Sequence, residues 1–146
     1  MWKGSVKSIH ITTAVGEEMT SVDQVRAVAG KGLEGDRYFA SDKPDSQVTL
    51  IESEAIDAMA KESGVELEYG DARRNIVTQG VPLNHLVGRE FQVGAVTLRG
   101  LRLNEPCNHL AEMTDRKVLP ALVHRGGLKA EILNDGAIRP GDTVSG

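Results

Sequence analysis

Glycine recurs at short intervals along nearly the whole chain, and between the glycines lie short segments rich in β-branched residues. That rhythm leaves little room for long helices. It describes several short strands joined by tight turns, because glycine supplies the backbone freedom such turns need. Val6 to Ile11, Val22 to Val28, Gln47 to Ile51, Asn75 to Thr78, Glu90 to Val93, Val96 to Leu103, Ala130 to Leu133 and Thr143 to Val144 read as strands. In the sixth of these, Val96 and Leu98 alternate with Thr97 and Arg99 until Gly100 breaks the rhythm. Between the last two, NDGAIRPGD reads as a turn, with Asp135 and Gly136 suited to a hairpin.

Helical signals are few. Glu52 to Ser63 carries Ile56, Met59 and Ala60 at i, i+3, i+4 spacing, with Gly64 where a C-terminal cap belongs. Leu83 to Val87 predicts a helical turn, and Leu110 and Met113 predict a second helix after Pro106. Pro120 must then start a new helix or kink an old one. Many strands with two or three isolated helices imply a mostly β fold, a closed or nearly closed barrel with peripheral helices, and not a doubly wound sheet. With no internal repeat and no linker-like tract, residues 1–146 are expected to form one domain.

Composition narrows the function. Aromatic residues are only 3% of the chain, so the core must be aliphatic and the stacking platforms of single-strand binders are nearly absent. A net charge of -4 also opposes nucleic-acid binding, which relies on many cations releasing phosphate counterions. No apolar run approaches the roughly 20 residues needed to cross a bilayer, and MWKGSVKSIHITT has no apolar stretch of signal-peptide type. The expectation is a soluble, cytoplasmic protein with no nucleic-acid or membrane partner.

Cys107 is the only cysteine, which excludes an intramolecular disulfide and any multi-cysteine metal site and leaves it either inert packing or reactive. Because Pro106 suits the first position of a helix, the thiol would lie near N–H groups that favour a thiolate, a nucleophile or soft-metal ligand. His109, two residues on, would point away on a continuous helix. A zinc site from Cys107, His109 and His124 matches no known spacing. DARRN sets Arg73, Arg74 and Asn75 at a strand entrance, where a guanidinium can grip a phosphate, although strand alternation lets only one of the two arginines face a given pocket. HRGG repeats the theme with Arg125 beside Gly126 and Gly127. GKGLEGDRYF reads as a loop built for close approach to a ligand, yet it has neither the Rossmann context nor the Lys-Ser/Thr ending of a P-loop. Glu54, Asp57, Glu62 and Glu66 read as a solvated helical face.

In sequence order, GLEGDRY, QVTLIE, RRNIVTQGVPLNHLVGREFQVG, LNEPCNHL and RGGLKAEILNDGAIRPGD resemble successive signatures of the MOSC domain family, related to the C-terminal part of molybdenum cofactor sulfurases. The resemblance is to its small stand-alone bacterial members and spans all but the first strand and residues 10–28. It implies a β-barrel with peripheral helices and binding of the molybdenum cofactor, a phosphate-bearing pterin dithiolene. By motif Cys107 inherits the role of carrying sulfur as a persulfide or of ligating molybdenum. Arg73, Arg74, Asn75 and Arg125 look like candidates for the pterin phosphate and ring, and Lys31, Asp36 and Arg37 for the pocket rim. The resemblance does not extend to the pyridoxal-phosphate desulfurase domain, the extra N-terminal β-domain or the ferredoxin module of larger relatives, and none is expected here. Sulfur or electrons are therefore expected from another protein, a cysteine desulfurase or an electron donor. The activities implied are sulfur carrier or cofactor-binding module and, as the alternative, a molybdenum-dependent reductase of small N-hydroxylated or N-oxygenated compounds.

Overall fold

The computed structural model describes residues 2–146. The strands are β1 (Lys3–Ile11), β2 (Thr20–Ser21), β3 (Val25–Val28), β4 (Gly32–Leu33), β5 (Val48–Glu52), β6 (Ile76–Gln79), β7 (Glu90–Val93), β8 (Val96–Leu103), β9 (Leu128–Ile132), β10 (Gly136–Ile138) and β11 (Thr143–Ser145). The helices are α1 (Ser53–Ser63), α2 (Asn108–Met113) and α3 (Val118–Ala121), with single 3-10 turns at Pro44–Ser46, Tyr69–Ala72 and Leu83–Leu86.

Seven strands close a barrel in the order β1, β11, β7, β8, β9, β5, β6 and back to β1. Neighbours are antiparallel except β5 and β6, which run parallel and are joined through α1. A parallel pair covered by its own crossover helix is buried on both faces, which explains why VTLI and NIVT are nearly continuous apolar runs. Leu50 and Ile76 point into the barrel core, while Ile51 and Val77 point outward into a second cluster with Ile56 and Met59 of α1 and Leu110, Val118 and Leu122. Gly64 ends α1 in the left-handed conformation (φ 71), as expected of a glycine cap.

A three-stranded sheet, in the order β10, β3, β4, extends the barrel core through Val25, Ala27, Leu33 and Ile138. It corrects two readings of the sequence. Within GKGLEGDRYF, Gly32 and Leu33 pair with Val28 and Ala27. A Cβ on Gly32 would lie 3.1 Å from the Gln47 carbonyl oxygen, so this glycine serves chain-to-chain packing. Gly136 to Ile138, read as part of a turn, pairs with β3 as a strand. The expected strand Val22 to Val28 is shortened: β3 begins only at Val25, and it is Thr20 and Ser21, before the expected start, that pair with β1. Among the described residues no helix is long and apolar enough to cross a membrane.

Candidate functional site

The floor of the site is the outer face of the barrel. Arg102 on β8 stands opposite Lys129 on β9, and Lys129 stands opposite Thr49 on β5. Because Leu128, Ala130, Val48 and Leu50 face inward, strand alternation turns Lys129 and Thr49 outward. Above this row lies a cleft of about 360 Å³, whose lining also includes Cys107, His109 and Leu110 from the start of α2 and Arg37, Tyr38, Lys43 and Asp45 from the segment before β5.

Cys107 is exposed and occupies the N-cap position of α2 in an extended conformation (φ -127, ψ 169), its carbonyl accepting from the Ala111 N–H at 3.1 Å. Pro106 therefore lies outside the helix, two residues before the first helical position, Asn108, that its preference predicts. An exposed thiol fills no core space, so the packing interpretation loses its physical basis. The extended backbone also explains why His109 lines the same cleft: the i, i+2 divergence holds only when both residues are helical.

The segment before Cys107 is held in place from beneath and from outside. Arg74 donates through Nε to the Gly126 carbonyl at 2.8 Å and through Nη2 to the Asn104 carbonyl at 2.9 Å, stapling the two loops together. Its Nη1 reaches the Ala72 carbonyl at 3.3 Å. At the surface, Glu105 accepts from the backbone N–H of His124 at 2.6 Å and lies 2.8 Å from its Nδ1. A Cβ on Gly126 would fall 2.4 Å from the Asn104 carbonyl oxygen, and one on Gly127 would fall 2.0 Å from that of Leu50. The glycines of HRGG thus allow close packing of the Cys107 loop and of β5, not the ligand approach expected of them.

Electrostatically the cleft is one-sided. Arg37, Lys43, Arg73, Arg74, Arg102 and Lys129 line it, against the single carboxylate of Asp45. Arg73 and Arg74 are both buried, and among the described residues neither has a carboxylate partner: Arg73 donates through Nη1 to the Glu17 carbonyl at 2.7 Å, and Arg74 to the three carbonyls named above. Burial pushes the Arg74 guanidinium down to about 10, partly opposed by the Cys107 thiol, so it remains protonated at neutral pH. Burial also lowers Arg73 and Lys129, with repulsion from Arg37 and Arg102 respectively adding to it. Arg102, donating through Nη2 at 2.7 Å and Nε at 3.0 Å to the single oxygen Oδ2, holds Asp45 below the usual carboxylate range.

The remaining residues singled out from the sequence divide sharply. Arg37 reaches the cleft with its guanidinium over the Tyr38 ring, 4.5 Å from the centroid; it pairs with Asp36 at 3.2 Å, while its buried Nε has no partner. Asp36 is buried and accepts from the Thr12 N–H. Asn75 is buried and knits three strands: its Oδ1 accepts from the Thr49 N–H and hydroxyl, and its Nδ2 donates to the His10 carbonyl. Arg125 pairs instead with Glu62 of α1 and donates to the Ala121 carbonyl, away from the cleft lining. Lys31 sits in the turn between β3 and β4, also outside the lining. Arg73 and Arg74 both line the cleft, contrary to strand alternation, because Arg73 is in the left-handed conformation (φ 63) before β6 begins. Arg102, Lys129, Lys43 and Asp45 were not legible as site residues, since their meeting depends on strand register and on a loop. Among the described residues no three His, Cys, Asp or Glu side chains could hold a metal ion together, so Cys107, His109 and His124 form no zinc site.

The profile of the MOSC domain matches residues 34–145 of this sequence. No curated protein matches it. The crystal structure of the YuaD protein from Bacillus subtilis is similar at 18% identity and a TM-score of 0.86, covering 99% of this chain and 97% of that one. YiiM from Geobacillus stearothermophilus is similar at 17% identity and a TM-score of 0.79, over 97% of this chain and 74% of its own. YiiM from Escherichia coli gives 18% identity and a TM-score of 0.68, over 97% and 68%. At such identities the likeness concerns the fold.

Proposed function

Since this chain belongs to the MOSC domain family, whose members generally bind the molybdenum cofactor, we propose that it is a cofactor-related sulfur carrier in which Cys107 accepts and hands on a sulfane sulfur. One observation carries the reading: the only thiol of the chain is exposed in a cleft whose two buried arginines lack any carboxylate partner among the described residues. Cations left uncompensated at a loss of hydration call for an anion from outside.

The residues present fit the cofactor. Arg73, Arg74 and the unpartnered Nε of Arg37 suit its phosphate, and an exposed thiol suits a soft metal. When bound, the cofactor supplies a molybdenum centre capable of thiolate ligation and two-electron chemistry. The protein's share is to present the thiol and neutralise anionic groups beside it. In the carrier step the Cys107 thiolate attacks the terminal sulfur of a donor persulfide; a new S–S bond forms, and the donor thiolate leaves with the electron pair of the bond that breaks. The donor proposed is a pyridoxal-phosphate-dependent cysteine desulfurase.

The test is incubation with a cysteine desulfurase and cysteine, followed by intact-mass measurement, beside molybdenum analysis after gentle purification. Gain of one sulfur on the Cys107 peptide, absent in Cys107→Ala, supports the carrier. Molybdenum retained by the wild type and lost in Cys107→Ala, with no sulfur uptake, assigns the protein instead to the reductases of N-oxygenated compounds. Because Cys107 is exposed, the substitution should change stability by less than about 0.5 kcal/mol, which thermal unfolding checks.

A further inference from the structure

On β8 and β9 the ladder pairs Gly100 with Ala130 and would next set Leu101 opposite Lys129; a bulge intervenes, and Arg102 takes that place. Like charges directly opposite on neighbouring strands are unfavourable, so a bulge that creates such a pair is a feature to be explained and not neutral geometry. Among the described residues the only carboxylate paired with either is Asp45, which comes from the separate 3-10 turn Pro44–Ser46. It lies 2.7 Å from Arg102 Nη2 and 3.9 Å from Lys129 Nζ. The Arg102 side chain is 60% exposed, and exchange of such a pair with another anion is inexpensive.

We infer that Arg102 and Lys129 form a second anion subsite of the cleft that Arg73 and Arg74 also line, with Asp45 as a built-in counter-ion that an incoming carboxylate or phosphate group displaces. The subsite would make Cys107 reactive toward anionic molecules, and Asp45 would set how strongly. Burial lowers Lys129 first, and Arg102 lowers it more than Asp45 raises it, so Asp45 does not fully offset the cations beside it. The inference concerns the cleft of the proposed function but does not depend on whether Cys107 carries sulfur or binds molybdenum.

Two alkylating agents test it on the whole protein. Iodoacetate and iodoacetamide both transfer a carbon to the thiolate sulfur with iodide leaving, but only the first carries a carboxylate. The ratio of their rates at Cys107 cancels changes in the thiol's own nucleophilicity and reads the field it presents to an anion. Removing one negative charge by Asp45→Asn should raise the ratio about threefold to tenfold at low ionic strength. Lys129→Met and Arg102→Met should lower it by a similar factor, and Lys129→Arg should restore it. At matched ionic strength, inorganic phosphate or acetate should suppress the iodoacetate reaction selectively, the stronger competitor naming the preferred group. An unchanged or lower ratio in Asp45→Asn, an unchanged ratio in Lys129→Met, or no selective suppression by either anion overturns the subsite. Because neither reagent requires sulfur uptake or metal, this failure is distinct from failure of the carrier reading.

Discussion

Three residues apart on one strand, Arg99 and Arg102 stand in opposite electrostatic circumstances. Arg99 has an acidic residue directly across from it on each neighbouring strand, Glu90 and Glu131, and binds both at 3.0 and 3.1 Å. Arg102 has a lysine across from it, a buried arginine among the cleft-lining residues, and one carboxylate that belongs to a loop. The same β8 and β9 ladder therefore ends in a self-neutralising patch at one side and an uncompensated cluster at the other. Charges that complement one another within the sheet support folding and solubility; charges that violate pairing rules mark where the sheet is prepared for something else.

If that contrast is right, the deepest member of the uncompensated cluster should matter most. Arg74→Met removes three charge-assisted hydrogen bonds and leaves the Gly126, Asn104 and Ala72 carbonyls without their donor, while relieving the burial of a charge that lowers the guanidinium to about 10. The balance favours the bonds, and the expected loss is about 2 kcal/mol in denaturant unfolding. A variant as stable as the wild type would mean that the charge is kept for ligand binding alone.

A smaller effect is expected from acid titration. The folded-state pKa of Asp45 is depressed, so its contribution is complete above the ordinary aspartate range and disappears as pH falls through that range toward the depressed value. With its partner Arg102 largely exposed, the contribution should be under about 1 kcal/mol. Asp45→Asn should correspondingly flatten part of the acid limb of a plot of melting temperature against pH. An acid limb identical to the wild type's would show the ion pair to be energetically silent.

Smallest of all is Arg99→Ala. Its bonds are exposed and screened by solvent, so neither the melting temperature nor the alkylation ratio at Cys107 should change measurably. A change in that ratio would remove the distinction between the two ends of the ladder.

Most of the barrel was legible because alternation and glycine spacing are local signals: β7 and β8 match their predicted bounds residue for residue. The misses have a common cause. Gly32–Leu33 and Gly136–Ile138 are too short to carry a period, and only pairing with β3 makes them strands. Of the residues that line the cleft, Cys107, Arg37, Arg73 and Arg74 were singled out because residue type and motif point to them. Arg102 and Lys129 lie 27 positions apart and meet through a bulge that no local pattern announces. Arg125 drew attention for the same chemical reason as Arg74, but tertiary packing set Glu62 beside one and only carbonyls beside the other.

The pairing of β1 with β11, Lys3 opposite Ser145, has a consequence of a different kind. It brings the two ends of the described chain to neighbouring positions on the barrel wall. A host polypeptide could therefore enter and leave this module at almost the same point, as a loop would, without stretching the barrel. Closure also leaves the seven barrel strands without an unpaired margin on which a second chain could extend the sheet. In evolutionary terms the unit is transposable: it can be spliced into larger architectures or rejoined in permuted order while the face bearing Cys107 keeps its shape.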